Sequence, residues 1–249
     1  MGRTKYTPTR EEQEEIELAK IYYSSKQRIL ENTKVVLKCK TPGQGELRDS
    51  IKGKEVTICS GLAGTGKTYI ACAQALKLIK SYPNKYQKVV LVKSVTTLRD
   101  EEIGFLKGTM EEKMEPFMYS FIHNFEKIIG KQKTRELKTA DMIDILPIAY
   151  MRGINLDNSI VIIDEAQNIS IDNIRTILTR LGKDSKMIFL GDQKQIDKRK
   201  KSDSALDFMI DNFADIDEMG LVRLTSEDVV RNKLIKKIEE KFEHVLDKK

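Results

Sequence analysis

Between residues 55 and 224 short apolar runs alternate with longer segments of helical period. The runs at 55–60, 88–94, 159–164, 186–191 and 221–224 are rich in Val, Ile, Leu and Phe, as strands covered on both faces are. Segments between them, such as 69–80, repeat apolar residues every three to four positions. Strands alternating with helices predict an α/β fold with a parallel central sheet flanked by helices. Ahead of that body residues 9–32 read as a helix, because Thr9 with Glu12 fits a capping box and Ile16, Ala19 and Tyr23 recur on one face. The stretch Thr41-Pro42-Gly43-Gln44-Gly45 reads as a turn that separates a helical N-terminal extension, residues 1–40, from the main domain, residues 41–249. The long insert 95–158 contains one clear amphipathic segment, 114–129.

Composition narrows the function classes. The chain has 249 residues, 40% hydrophobic and 33% charged, enough to bury a core without disulfides or metals. No run approaches the roughly 18 apolar residues of a spanning helix, and residues 1–20 have no apolar signal core, so a cytoplasmic protein is expected, without membrane contact. Tyr6 stands where a myristoylation signal wants Ser or Thr. Cys39, Cys59 and Cys72 form no CxxC pair, which points away from a disulfide framework or zinc site. His123 and His244, the only histidines, sit in amphipathic stretches and leave little material for a Ser-His-Asp triad or a histidine-rich metal centre.

The chemistry gathers at Gly61-Leu62-Ala63-Gly64-Thr65-Gly66-Lys67-Thr68, which matches G-x-x-x-x-G-K-[ST] between a strand pattern and a helix pattern. Backbone N–H groups can wrap a phosphate only where the chain turns tightly without Cβ atoms in the way, and the helix N-terminus adds partial positive charge. Lys67 would reach the β- and γ-phosphates and Thr68 would ligate Mg²⁺. A chance match in a chain of this length is on the order of one in a hundred, so the motif outweighs a plain glycine turn.

The run 159–164 ends in Asp164-Glu165. Ligands of such sheets bind at the carboxyl ends of the strands. There Asp164 would hold the Mg²⁺ water shell and Glu165 would polarise an attacking water, the alternative being that both merely cap the next helix. The run 186–191 leads into Gly191-Asp192-Gln193-Lys194-Gln195, where Gln195 has both the donor and the acceptor needed to sense a γ-phosphate and water together. Read alone, that loop is an ordinary polar turn.

Together these stretches resemble the PhoH family, phosphate-starvation-inducible ATPases whose core is similar to one RecA-like half of a superfamily 1 helicase. The resemblance runs from Thr41 onward and includes Gly104-Phe105-Leu106 with Gly108, residues 148–153, Asp164-Glu165-Ala166-Gln167-Asn168, residues 178–182, Gly191-Asp192 with Gln195-Ile196-Asp197, and Asp228-Val229-Val230-Arg231. It implies a RecA-like P-loop NTPase that uses ATP and Mg²⁺, with Gln44 in the position of a glutamine motif that reads adenine. ATP also agrees with the absence of a guanine signature, since Asn84-Lys85-Tyr86-Gln87 has Gln where Asp is required. Where the family usually carries Arg-Pro after the second strand, this chain has Lys93-Ser94, which keeps a point charge and loses any bidentate contact. No segment has the spaced carboxylates of the nuclease domain that some relatives carry.

The net charge of +6 and a pI near 9.0 permit RNA or single-stranded nucleic acid as a partner. Lys198-Arg199-Lys200-Lys201, after the sensor loop, reads either as phosphate contacts or as solvated surface, and Tyr150 beside Arg152 is a candidate stacking platform. An ATPase coupled to nucleic acid, possible helicase activity included, is the favoured reading; a P-loop kinase of a small substrate and an ATP-responsive assembly scaffold with little turnover are the alternatives. Since the resemblance supplies only one RecA-like half, transition-state arginine would come from another subunit of a homo-oligomer, a hexamer by resemblance, or from the C-terminal segment. Arg231 is the first candidate, with Arg180 and Arg152 behind it, and a helix-capping pair with Asp228 is the plainer reading of Arg231.

Overall fold

The structure, a computed structural model, describes residues 9, 10, 13, 28–93, 110–193, 195 and 204–230. The expected helix over 9–32 therefore lies largely outside the described residues, as do the Gly104–Gly108 stretch, the Lys198–Lys201 run and everything from Arg231 onward.

Helix α1, Pro42–Gly53, begins where a turn is expected from the sequence. Thr41 caps it by accepting from Gln44 N–H at 3.3 Å, and Pro42 in the first turn supplies a preset φ. Strand β1, Val56–Gly61, runs into the phosphate loop, and helix α2, Lys67–Ser81, leaves it. Strand β2 is Lys88–Lys93. The insert then forms helix α3, Met110–Ile129, helix α4, Lys131–Thr139, and a short strand β3, Ile143–Ile145. Strand β4, Ser159–Asp164, precedes helix α5, Ile171–Leu178, and strand β5, Lys186–Gly191, precedes helix α6, Ala205–Asn212. Ser170 and Ser204 cap α5 and α6 through their hydroxyls. Strand β6, Met219–Leu224, closes the sheet.

The six strands lie in the order β3-β2-β4-β5-β1-β6, every neighbouring pair parallel. Because the strands alternate their side chains, each face has its own core. Cys59, Val89, Leu91, Ile160, Ile162, Ile188 and Leu190 pack under α1 to α4, and Val56, Ile58, Val90, Val161, Ile163, Met187 and Phe189 pack against α5 and α6. Ile29, Leu30, Val35, Leu37 and Cys39 join the first core, so the segment before α1 lies on the same body. This is the α/β architecture expected from the sequence, a parallel central sheet flanked by helices. Its consequence for the site is positional: β5 stands between β1 and β4, and all three deliver their carboxyl ends to one edge. No helix among the described residues is long and apolar enough to cross a membrane.

Candidate functional site

The phosphate loop owes its shape to two glycines. Gly64 and Gly66 adopt φ of 87° and 84°, which L side chains rarely tolerate. Gly66 is the N-cap of α2 and brings no side-chain cap, so the first turn of that helix presents its N–H groups to the loop. Thr65 is fully buried and its hydroxyl donates to the Leu62 carbonyl at 2.8 Å, which pins the turn from inside. Lys67 Nζ bends back over the loop and donates to the carbonyls of Gly61 at 2.5 Å and Leu62 at 3.0 Å.

Across the edge, Thr68 Oγ1 donates to Asp164 Oδ2 at 3.3 Å, although the two residues lie 96 positions apart. A hydroxyl and a carboxylate are the hard oxygen ligands that Mg²⁺ takes when phosphates and water complete its octahedron. Among the described residues no three His, Cys, Asp or Glu side chains converge on one point, so the fit is to this shared mode and not to an all-protein cage. Burial, and then the neighbouring Glu165 carboxylate, push the Asp164 pKa up to about 6, against the pull of Lys93 and Lys67. A cation bound there would relieve that penalty.

Glu165 sits at φ 56° with no glycine to ease it, a strained conformation worth about 1–3 kcal/mol that turns its side chain out of the strand direction. Its Oε2 accepts from Gln167 Nε2 at 2.7 Å. Gln167, fully buried, also donates to the Gln195 carbonyl at 3.1 Å and accepts from Asp192 N–H at 3.1 Å through Oε1. One amide thus ties the Glu165 carboxylate to the loop after β5. A Cβ on Gly191 would stand 2.7 Å from Gln167 Oε1, which is why a glycine precedes Asp192. Sequence reasoning noticed Gln167 only as part of a family motif. Its chemical signal, a buried amide two positions beyond a carboxylate, becomes legible only with the partner loop in place. In that loop Gln195 has an exposed side chain, while Gln193 accepts from Ser60 Oγ at 3.0 Å and donates to Asp207 at 2.6 Å.

Gln44, 3% exposed, reaches the loop from α1: Nε2 donates to the Thr65 carbonyl at 2.8 Å and Oε1 accepts from Lys40 N–H at 2.8 Å. Loop, Lys67, Thr68, Asp164, Glu165 and Gln44 therefore converge, with Gln195 joined to them through Gln167. Arg231 lies outside the described residues, although its predecessor Val230 donates its N–H to the Gly64 carbonyl at 3.1 Å. Arg180 is elsewhere: it donates to Ile154 O at 3.3 Å and to Thr179 Oγ1 at 3.1 Å, beside the Leu156–Leu181 bridge ahead of the amino ends of β4 and β5. Arg152 is exposed in the turn that follows the 3-10 helix Ile148–Met151.

Residues 36–243 match the family described as PhoH-like protein. The PhoH-like protein of Bacillus subtilis (strain 168) is 36% identical over 207 residues, which cover 83% of this chain and 64% of that protein. Protein PhoH of Escherichia coli (strain K12) is 31% identical over 187 residues, which cover 74% and 52%. This chain thus spans between about half and two thirds of the length of those relatives. Among solved structures, the large terminase of a thermophilic bacteriophage in complex with ADP is 11% identical, covers 80% of this chain and 49% of its own, and has a TM-score of 0.44. The Pif1 helicase of Candida albicans is 18% identical over 76% of this chain and 40% of its own, with a TM-score of 0.34. Likeness at those scores adds nothing to what strand order and side-chain geometry carry.

Proposed function

The chain belongs to the PhoH-like protein family, and on that premise we propose that it binds ATP with Mg²⁺ at residues 61–68 and hydrolyses it to ADP and phosphate. The observation that carries this reading is the contact between Thr68 and Asp164 with Glu165 braced immediately beyond it. Lys67 exchanges its loop carbonyls for the β- and γ-phosphates, and Mg²⁺, when bound by Thr68 and Asp164, supplies charge neutralisation on the same oxygens. Glu165 accepts the proton of a water whose oxygen attacks the γ-phosphorus, while the bond to the β–γ bridging oxygen breaks and ADP leaves. Gln167 holds Glu165 in line and carries the state of that carboxylate to Gln195.

Gln44 fits the adenine-reading role by what it has left. With one N–H committed to Thr65 and one lone pair to Lys40, it retains one donor and one acceptor, the complement of adenine N7 and the N6 amino group. Guanine offers two acceptors on that edge and is refused. Coupling to RNA or single-stranded nucleic acid, and a homo-oligomer in which Arg231 serves a neighbour's γ-phosphate, belong to the same proposal. Mixing Arg231→Ala with Lys67→Ala subunits restores activity if the arginine acts in trans and restores none if it does not.

Phosphate release from ATP, measured with and without single-stranded RNA, tests the coupling. Free phosphate that rises with RNA supports it. A rate indifferent to any nucleic acid favours the scaffold reading, and a phosphorylated acceptor in place of free phosphate favours a kinase.

A further inference from the structure

The far end of the described chain returns to the phosphate loop, and one buried carboxylate fastens it there. Leu224, the last residue of β6, lies beside Gly61 in the parallel register. The 3-10 turn Ser226–Asp228 then carries the chain to Val230, whose N–H donates to the Gly64 carbonyl at 3.1 Å. From the other side Gln44 Nε2 holds the Thr65 carbonyl at 2.8 Å. Asp228, 6% exposed, joins these two approaches: Oδ1 accepts from Gly43 N–H at 3.2 Å and Oδ2 from Thr225 N–H at 2.9 Å. A Cβ on Gly43 would stand 2.6 Å from both carboxylate oxygens, so the junction closes only over a residue without a side chain.

The two braces act on consecutive peptide groups. In a trans peptide the N–H points opposite to the preceding carbonyl. Turning the Thr65 carbonyl to Gln44 therefore directs the Gly66 N–H to the other side, at the N-terminus of α2 that receives an anion. Turning the Gly64 carbonyl to Val230 directs the Thr65 N–H back toward the Leu62 carbonyl, 3.4 Å away. Two glycines at positive φ give this loop a freedom that has to be removed before it holds a phosphate. We infer that Asp228 is a positioning residue for nucleotide binding, which locks the Pro42-Gly43-Gln44 turn to the 225–230 turn so that both braces set the phosphate loop in advance. The inference rests on the nucleotide reading of the loop.

Equilibrium binding of ADP with Mg²⁺, well below the melting temperature of every variant, is the test. Asp228→Ala should weaken ADP on the order of tenfold, because two charge-assisted bonds are lost. The KM for ATP should rise with it, by a larger factor than kcat at saturating ATP falls, since the lost contact acts on the nucleotide already in the ground state. Asp228→Asn keeps one acceptor and should fall between, and Gly43→Ala should weaken binding by displacing the carboxylate from the other side. In the double variant the two losses should not add. Asp228→Asn and Gly43→Ala carry the test if the alanine variant does not fold. Ile177→Ala, on the buried face of α5 in the other core, should lower stability and leave ADP affinity unchanged, which separates positioning from general loosening. Wild-type ADP affinity in folded Asp228 and Gly43 variants, with Lys67→Ala still defective, overturns the role of Asp228. Wild-type affinity in Lys67→Ala overturns the nucleotide reading beneath it.

Discussion

Replacing Asp164 with Asn should make the nucleotide-free protein more stable and the nucleotide complex less so. The carboxylate is 8% exposed and adjoins Glu165, and burial with that neighbour raises its pKa from the ordinary carboxylate range to about 6. At about 1.36 kcal/mol per unit of pKa, the charged form costs the native state at most about 3 kcal/mol at neutral pH. An asparagine still loses amide solvation, which leaves a gain of about 1–2 kcal/mol, or roughly 3–6 °C for a chain of this size. Its Oδ1 can keep the Glu165 N–H, and the Thr68 hydroxyl can reverse to accept from Nδ2. The sign follows from proton binding. Between about pH 4 and 6 the native state holds a proton that the unfolded chain has released, so this group's stability contribution falls as pH rises through that window and stays lost above it. The advantage of Asp164→Asn should therefore be full at pH 7.5 and much reduced at pH 5. Thermal unfolding in a metal chelator reads this directly. Adding Mg²⁺ with ADP should then raise the melting temperature of the wild type and barely that of the variant. A variant that melts no higher than the wild type at pH 7.5, or whose gain is the same at pH 5, refutes the reasoning.

Glu165→Gln keeps the geometry, including an oxygen for Gln167, and should bind ATP normally while phosphate release falls by about 10²-fold or more; a matching loss of ATP affinity would make Glu165 a ligand. Gln44→Ala should narrow the preference for ATP over GTP, by about 1–3 kcal/mol in competition binding, whereas equal weakening of both would leave Gln44 as a brace on the loop alone. Lys186, at the start of β5, donates Nζ to the Lys54 carbonyl, and burial, with Lys85 nearby, lowers its pKa to about 8. Between about pH 8 and 10.5 the unfolded chain binds the proton that the native state has released, so wild-type stability should rise with pH relative to Lys186→Met; parallel stability curves for the two proteins would contradict this.

What the sequence discloses is local. The run at 159–164 is apolar on both faces and bounded by polar residues, so a buried parallel strand is readable from it alone, and the glycine spacing at 61–66 carries its own mechanism. Helix α1 is hidden because Gly43 and Gly45 imitate a turn, while Thr41 and Pro42 are the cap and first-turn signals that outweigh them. Strand β3 has three residues, too few for a period, and exists because the edge of β2 is there to pair with. Gln167 and Asp228 are legible only in three dimensions. The first joins loops after two different strands, and the second pairs with Gly43 across 185 positions, a separation that no pattern of spacing encodes.

ADP binding with and without Mg²⁺, compared between the wild type and Lys67→Ala, tests the nucleotide site most directly. Micromolar or tighter binding by the wild type, strengthened by Mg²⁺ and lost in a folded Lys67→Ala, is the result predicted by a phosphate cradle at 61–68 facing Asp164. Equal binding by the two proteins, or none by a folded wild type, would contradict it.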